Sequence, residues 1–284
     1  RNIDIEKICQ RVSFFFAVHN NFFEEIAKYR AARRIWSNIL KDNFGVKNEN
    51  SCKFRVHSQT GGVTLTAQQP LNNVVRVSMQ ALAAVLGGTQ SLHTNSFDEA
   101  LGLPTEESAT IALRTQQIIA YESEVADSID PLAGSYYIEY LTDEIEKKVY
   151  EYLEIIKDRG GMIKCIEDNF IQGEIESSAF DFQIELENKD RVVVGVNDFK
   201  ATEEKEMPIQ EIDPMLEKDQ VQRLNSLKKK RDNELVEKCL SELTNAAEKN
   251  INIMPFIVEA VRAYCTIGEM TSALEKIYGR FKGN

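Results

Sequence analysis

The chain has 284 residues, 43% hydrophobic and 28% charged, with a net charge of −11. That size and balance suit one or two globular domains with a sizeable core, and the acidic excess argues against nucleic acid as a partner, whose phosphates need clustered Lys and Arg. No apolar run approaches the roughly 18 residues of a transmembrane helix, and Arg1 to Gln10 lacks the layout of a signal peptide, so a cytoplasmic address without a membrane partner is expected.

The five cysteines, Cys9, Cys52, Cys165, Cys239 and Cys265, are scattered, with no CxxC pair and no histidine at metal-ligand spacing. They read as reduced, mostly buried thiols, and no metal site is expected. The first methionine is Met79, so the sequence reads as processed or as a fragment.

Val12 to Val18 is a short aromatic-rich run followed by the polar His19-Asn20-Asn21, a buried strand ending in a loop. Asn21 with Glu24 three residues on marks a helix start, and Phe22, Ile26, Tyr29, Arg33 and Trp36 carry the helical repeat to about Phe44-Gly45. A second strand is expected at Cys52 to His57, then a loop from Ser58 to Gly62 and a helix opening at Thr66 to Pro70, with Val74, Val75, Val77, Ala81, Leu82 and Val85 as its apolar positions. The third strand is Thr89 to His93, and its helix runs from about Thr105 to Glu122.

Three strand-loop-helix units in succession predict parallel strands with crossover helices, an α/β class. Three units are too few to close a (β/α)8 barrel, so the expectation is a partial barrel of TIM type whose N-terminal half lies outside this chain.

Beyond Val125 the pattern changes. Ser128 to Tyr137 is a turn-rich connector, and helices are expected at Thr142 to Asp158, Gly161 to Asn169 and Gln172 to Glu187. Arg191 to Val196 reads as a lone extended segment, Lys200 to Pro214 as an exposed acidic linker, Met215 to Glu248 as strongly helical, and Met254 to Tyr264 and Gly268 to Tyr278 as short helices. The organisation expected is 1–127 as the barrel part, 128–214 as a helical extension and linker, and 215–284 as a C-terminal helical segment.

P-loop and GxGxxG patterns are absent, and the three histidines, His19, His57 and His93, make no catalytic or metal pair. One polar set does stand out. Arg11 and Ser13 sit on the first strand, Gln90 on the third, and Arg55, His57 and Gln59 alternate along the second, so period two puts those three on one face. Read from residues alone, the set is either an internal hydrogen-bonded network or a ligand site.

The segments Arg11 to Phe16, Asn21 to Lys28, Ala31 to Trp36, Arg55 to Thr60, Leu65-Thr66 with Pro70 to Arg76, Asp130 to Tyr137, Val192 to Asn197 and above all Gly87-Gly88-Thr89-Gln90-Ser91-Leu92-His93-Thr94-Asn95-Ser96-Phe97-Asp98-Glu99-Ala100-Leu101-Gly102-Leu103-Pro104-Thr105 resemble the methylmalonyl-CoA mutase family. The resemblance implies an adenosylcobalamin-dependent isomerase that rearranges the carbon skeleton of an acyl-CoA. It implies that Arg11 and Ser13 contact the coenzyme A portion, that Arg55, His57 and Gln90 line the acyl-CoA channel, and that Gln59, Gly62, Glu99 and Gly102 face adenosylcobalamin, with Glu99 near the adenosyl ribose. No catalytic residue is assignable, because in such an enzyme the cofactor carries the radical chemistry.

The family's early strands and its Asp-x-His-x-x-Gly cobalamin-ligand motif have no counterpart in this sequence. The expected partners are therefore the missing N-terminal barrel half and a cobalamin-binding domain or small subunit, and the chain alone is expected to be inactive. Two alternatives stand beside this reading: a mutase of 2-hydroxyisobutyryl-CoA or isobutyryl-CoA, and a non-catalytic scaffold or binding fragment that completes another chain's site.

Overall fold

A computed structural model describes residues 4–202 and 207–280. The chain divides into two compact units, one reaching to Gln210 and one beginning at Glu211. In the first, a short helix α1 (Ile5–Cys9) precedes β1 (Phe14–Val18), α2 (Phe22–Asp42), β2 (Val56–Thr60), α3 (Asn72–Leu86), β3 (Ser91–His93) and α4 (Glu106–Tyr121). The strands form one parallel sheet in the order β1-β2-β3. This is the α/β arrangement expected, a sheet consistent with part of a barrel; among the described residues three strands do not close one.

Alternation decides what each face of the sheet does. Val18 and Val56 pack with Ile26 and Tyr29 of α2 and with Ala83 and Ala84 of α3 into the main core. The opposite face carries Phe15, which is 61% exposed, together with half-buried His57 and Gln59 and exposed Ser91 and His93.

Three local features here differ from the sequence reading, each for a physical reason. The second strand was expected at Cys52 to His57 but runs Val56–Thr60. Its polar residues are satisfied inside: Ser58 Oγ meets the Tyr29 hydroxyl at 2.5 Å and Thr89 Oγ1 at 2.7 Å, and Thr60 Oγ1 accepts from the Asn95 N–H at 2.9 Å. Burial pushes the Tyr29 phenol up to about 12. Second, α3 begins at Asn72 and not at Thr66, because Pro70 disfavours a right-handed helical conformation in the residue before it, and Gln69 takes φ +47°. Third, Asn21 makes no side-chain cap; its Nδ2 donates to the Glu24 carboxylate instead.

α2 packs along α5 (Tyr136–Asp158), which starts six residues earlier than expected. α6 (Met162–Glu167) and α7 (Phe170–Asn188) follow. The segment expected to be extended at Arg191 to Val196 is instead a tight loop closed by a Val194–Asp198 bridge. Of the expected linker Lys200 to Pro214, residues 203–206 lie outside the described residues.

The α2–α5 contact is centred on Arg30. Its Nε donates to the Asp130 carboxylate at 3.0 and 3.2 Å, its two Nη atoms to Glu139 at 2.7 and 3.1 Å, and Nη1 also to Thr142 Oγ1 at 3.0 Å. The planar fork meets two carboxylates and a hydroxyl at once, which lysine cannot do. Among the described residues no helix is long and apolar enough to cross a membrane.

The second unit is helical. The expected single stretch Met215 to Glu248 is two helices, α8 (Pro214–Lys230) and α9 (Asn233–Glu248), because Asp232 accepts from the Leu235 N–H and caps a new helix. α10 (Met254–Arg262) and α11 (Ile267–Tyr278) complete it, with Val236, Cys239, Ala260, Ala263 and Cys265 as the core. Arg231, at the α8–α9 break, donates to the Glu269 carboxylate at 2.6 and 2.8 Å and to the Tyr264 carbonyl at 2.8 Å. Glu269 also accepts from the Thr266 N–H, the second half of a capping box.

Two predictions follow from these ion pairs. Arg30→Leu is expected to lower unfolding stability in urea by about 2 kcal/mol or more, since a charged hydrogen bond contributes about 1.5–3 kcal/mol, while Arg30→Lys recovers only part of it. The Arg231 guanidinium holds the Glu269 carboxyl well below the usual carboxylate range. A depressed folded value gives stability that is present above the unfolded value near 4.3 and lost as pH falls below it. Helicity of the second unit, followed by circular dichroism, is therefore expected to become more sensitive to urea on acidification below about pH 4.3, and Glu269→Gln to flatten that dependence.

Candidate functional site

The parallel register stacks the open-face side chains in rungs: Phe15, His57 and Ser91 share one, and Ala17, Gln59 and His93 the next. The Phe15 and His57 rings lie 5.3 Å apart, and His57 Nδ1 pairs with Ser91 Oγ at 2.7 Å. That bond fixes the imidazole against the sheet, and Nε2 has no protein partner among the described residues.

Arg11 and Ser13 lie exposed where β1 begins. Arg55 precedes β2 at the same end; its Nη2 donates to the Asn50 carbonyl at 3.1 Å, while Nη1 is shut off from solvent without an acceptor. Gln90 does not join these residues on the open face. Its Oε1 accepts from the Val56 N–H at 2.6 Å and its Nε2 donates to the Gly88 carbonyl at 2.9 Å, so its amide closes the start of the sheet.

Gln59, Gly62, Glu99 and Gly102 lie at the opposite, C-terminal end of the strands. Gln59 Nε2 is 3.0 Å from the Asn95 side-chain amide. A Cβ on Gly62 would sit 2.7 Å from Asn95 Nδ2 and 3.4 Å from Glu99 Oε1. Glycine here lets the loop after β2 lie directly on the loop after β3. A Cβ on Gly102 would meet Ile209 Cγ2 at 3.0 Å, so this glycine also admits close packing of the chain on itself. Glu99 is exposed, and among the described residues no donor meets its carboxylate.

The rungs therefore join two chemically different ends. One offers guanidinium and hydroxyl donors suited to phosphate or carboxylate; the other offers an amide and an unpaired carboxylate suited to hydroxyl or amide groups. Across a five-residue strand these ends stand about 13 Å apart. Among the described residues no group of three His, Cys, Asp or Glu is placed to hold a metal ion.

The sequence reading missed the residues that hold the second end in place. Asn73 and Gln80, both on α3, are fully buried. Asn73 Nδ2 donates to the Thr66 and Phe97 carbonyls at 2.8 and 2.9 Å, and its Oδ1 accepts from the Thr66 N–H at 3.1 Å and Arg76 Nη1 at 2.7 Å. Gln80 Nε2 donates to Asn20 Oδ1 at 2.5 Å and Thr64 Oγ1 at 2.6 Å, and its Oε1 accepts from the Gly61 N–H at 3.0 Å. Asn73, Val77, Gln80 and Ala84 form one buried stripe, whereas Val75, expected in the core, is 65% exposed. The signal was present: two amides seven residues apart, in register with core positions.

Comparison with known proteins covers nearly the whole sequence. A family profile for methylmalonyl-CoA mutase matches residues 1–280. The human mitochondrial methylmalonyl-CoA mutase is 43% identical over 284 residues, covering 99% of this chain and 38% of that protein. Methylmalonyl-CoA mutase of Escherichia coli is 44% identical over 280 residues, covering 98% of this chain and 39% of its own length. The 2-hydroxyisobutanoyl-CoA mutase large subunit of Aquincola tertiaricarbonis is also 44% identical over 280 residues, covering 98% of this chain and 50% of its own. The chain thus spans half or less of the length of these curated relatives, and by both the profile and the identities it belongs to the methylmalonyl-CoA mutase family.

Proposed function

We propose that this chain is part of the catalytic subunit of an adenosylcobalamin-dependent acyl-CoA mutase that interconverts methylmalonyl-CoA and succinyl-CoA. The observation that carries the reading, beside family membership, is the polar open face whose two ends differ in chemistry. Arg11 and Ser13 hold the coenzyme A portion, with the guanidinium as a forked donor to phosphate. Arg55 and His57 line the path of the acyl chain. Arg55 stands beside the start of β2, its Nη2 held by the Asn50 carbonyl, and His57 brings a ring nitrogen, Nε2, that has no partner among the described residues. Gln90 acts at this end through the backbone it ties.

Gln59, Gly62, Glu99 and Gly102 form the cofactor end. The fit rests on Glu99: an exposed carboxylate that meets no donor among the described residues is a ready acceptor for ribose hydroxyls. Adenosylcobalamin, when bound, supplies the radical chemistry. The protein's part is to bind, to orient and to exclude water, so no acid-base pair is needed in this segment.

The large subunit among the relatives supports a second substrate reading, 2-hydroxyisobutyryl-CoA, and a partner: a separate subunit or domain that binds cobalamin. Adenosylcobalamin-dependent formation of succinyl-CoA by the full-length enzyme tests the primary reading, and turnover of 2-hydroxyisobutyryl-CoA alone would replace it with the second.

In the full-length enzyme Glu99→Ala is expected to weaken adenosylcobalamin by about tenfold or more, the loss of a charged hydrogen bond, with acyl-CoA affinity unchanged; separate titrations of the two ligands check it. Arg11→Lys is expected to raise the KM for acyl-CoA by about tenfold with little change in thermal stability, because the forked contact is lost and the charge is kept. An unchanged KM in steady-state kinetics would remove Arg11 from the substrate path.

A further inference from the structure

Every hydrogen-bonding group of the Asn73 side chain is used: two donations and two acceptances, all inside the protein. Gln80 uses both donors and accepts a third bond. Their partners do not belong to α3 alone. Gln80 ties the loop after β1, through Asn20, to the loop after β2, through Gly61 and Thr64. Asn73 ties the loop after β2, through Thr66, to the loop after β3, through Phe97, two residues before Glu99.

We propose that Asn73 and Gln80 are positioning residues, a pair of buried amides that lock the three loops at the C-terminal end of the sheet into one ligand-ready geometry. An apolar side chain in place of Asn73 would leave the Thr66 N–H and the Thr66 and Phe97 carbonyls without their partner. What the two amides satisfy is loop backbone and loop side chains, not the core itself. A bonded buried network of this kind has a single arrangement in which every group is satisfied, and that arrangement fixes the distances between the loops. Asn73 is 0% and Gln80 1% exposed, so neither touches a ligand; they act through Gly62 and Glu99. This inference rests on the cofactor-end reading given above.

The test is Asn73→Asp in the full-length enzyme. The carboxylate keeps both acceptor roles, facing Arg76, and loses both donations, so the hold on Thr66 and Phe97 is released. Two results are expected: faster amide hydrogen exchange over residues 95–102 in the unliganded protein, and an adenosylcobalamin affinity about tenfold weaker, the loss of roughly one hydrogen bond, with the KM for acyl-CoA unchanged. A lower melting temperature with both affinities unchanged would overturn the proposal, as would an equal loss of both.

Asn20→Ala provides a second probe that leaves the core intact, because Asn20 is an exposed loop residue. It removes one Gln80 partner and is expected to speed exchange at residues 61–64; unchanged exchange there would overturn the clamp even where Asn73→Asp fails to fold. If exchange responds as expected but the wild-type enzyme binds no adenosylcobalamin, the clamp stands and the cofactor reading fails.

Discussion

Buried polar groups must find partners, and where the loop after β2 turns inward against α3 the Gly61 N–H is shared between the Val18 carbonyl at 2.7 Å and Gln80 Oε1 at 3.0 Å. Gln80 spends its two donors on the neighbouring segments, at Asn20 and Thr64. Asn73, two helical turns earlier, does the same for Thr66 and Phe97. Together with the Thr60–Asn95 and Gly61–Val18 bonds, these amides tie the three loops at the C-terminal end of the sheet to one another. With them, the loops behave as one surface, and the glycine at position 62 lets that surface close to van der Waals contact.

The rest of the first unit supports this arrangement from outside. The apolar face of the sheet is sealed by α2 and α3, and α2 is fixed in turn by Arg30 and its carboxylates on the connector and α5. The open face is left with Phe15, His57, Ser91, Gln59 and His93 in two rungs. An elongated acyl-CoA laid along such a face would meet cationic donors first and carboxylate and amide last, which is the order the proposed chemistry requires.

Much of this was legible in the sequence. The three strand-helix units follow from period-two and period-3.6 patterning, and the placing of His57 and Gln59 on one face of β2 follows from strand geometry alone. What was not legible depends on partners distant in sequence. Ser58 and Thr60 read as loop residues because a strand interior is expected to be apolar; only Tyr29, Thr89 and Asn95 make them acceptable there. The sequence placed Gln90 on the third strand but could not show that its side chain ties the backbone, because the hydrogen bond it accepts from the Val56 N–H is tertiary. Asn73 and Gln80 were passed over because amides in an amphipathic helix read as surface, and the neighbouring Val74, Val75 and Val85 suggested a differently rotated core face. The break at Asp232 was a local capping signal that a charged, helix-favouring stretch concealed.

The proposed separation of a coenzyme A end from a cofactor end is measured most directly by a distance. The five cysteines are buried, so a nitroxide can be placed on the exposed positions Gln10 or Leu103 by Gln10→Cys or Leu103→Cys, and its distance to the paramagnetic Co(II) of bound cobalamin read by pulsed electron spin resonance in the full-length enzyme. The cobalt is expected to lie nearer position 103 than position 10 by about 10 Å or more, the length of the strands between them. Equal distances, or a cobalt nearer position 10, would contradict the assignment of the two ends.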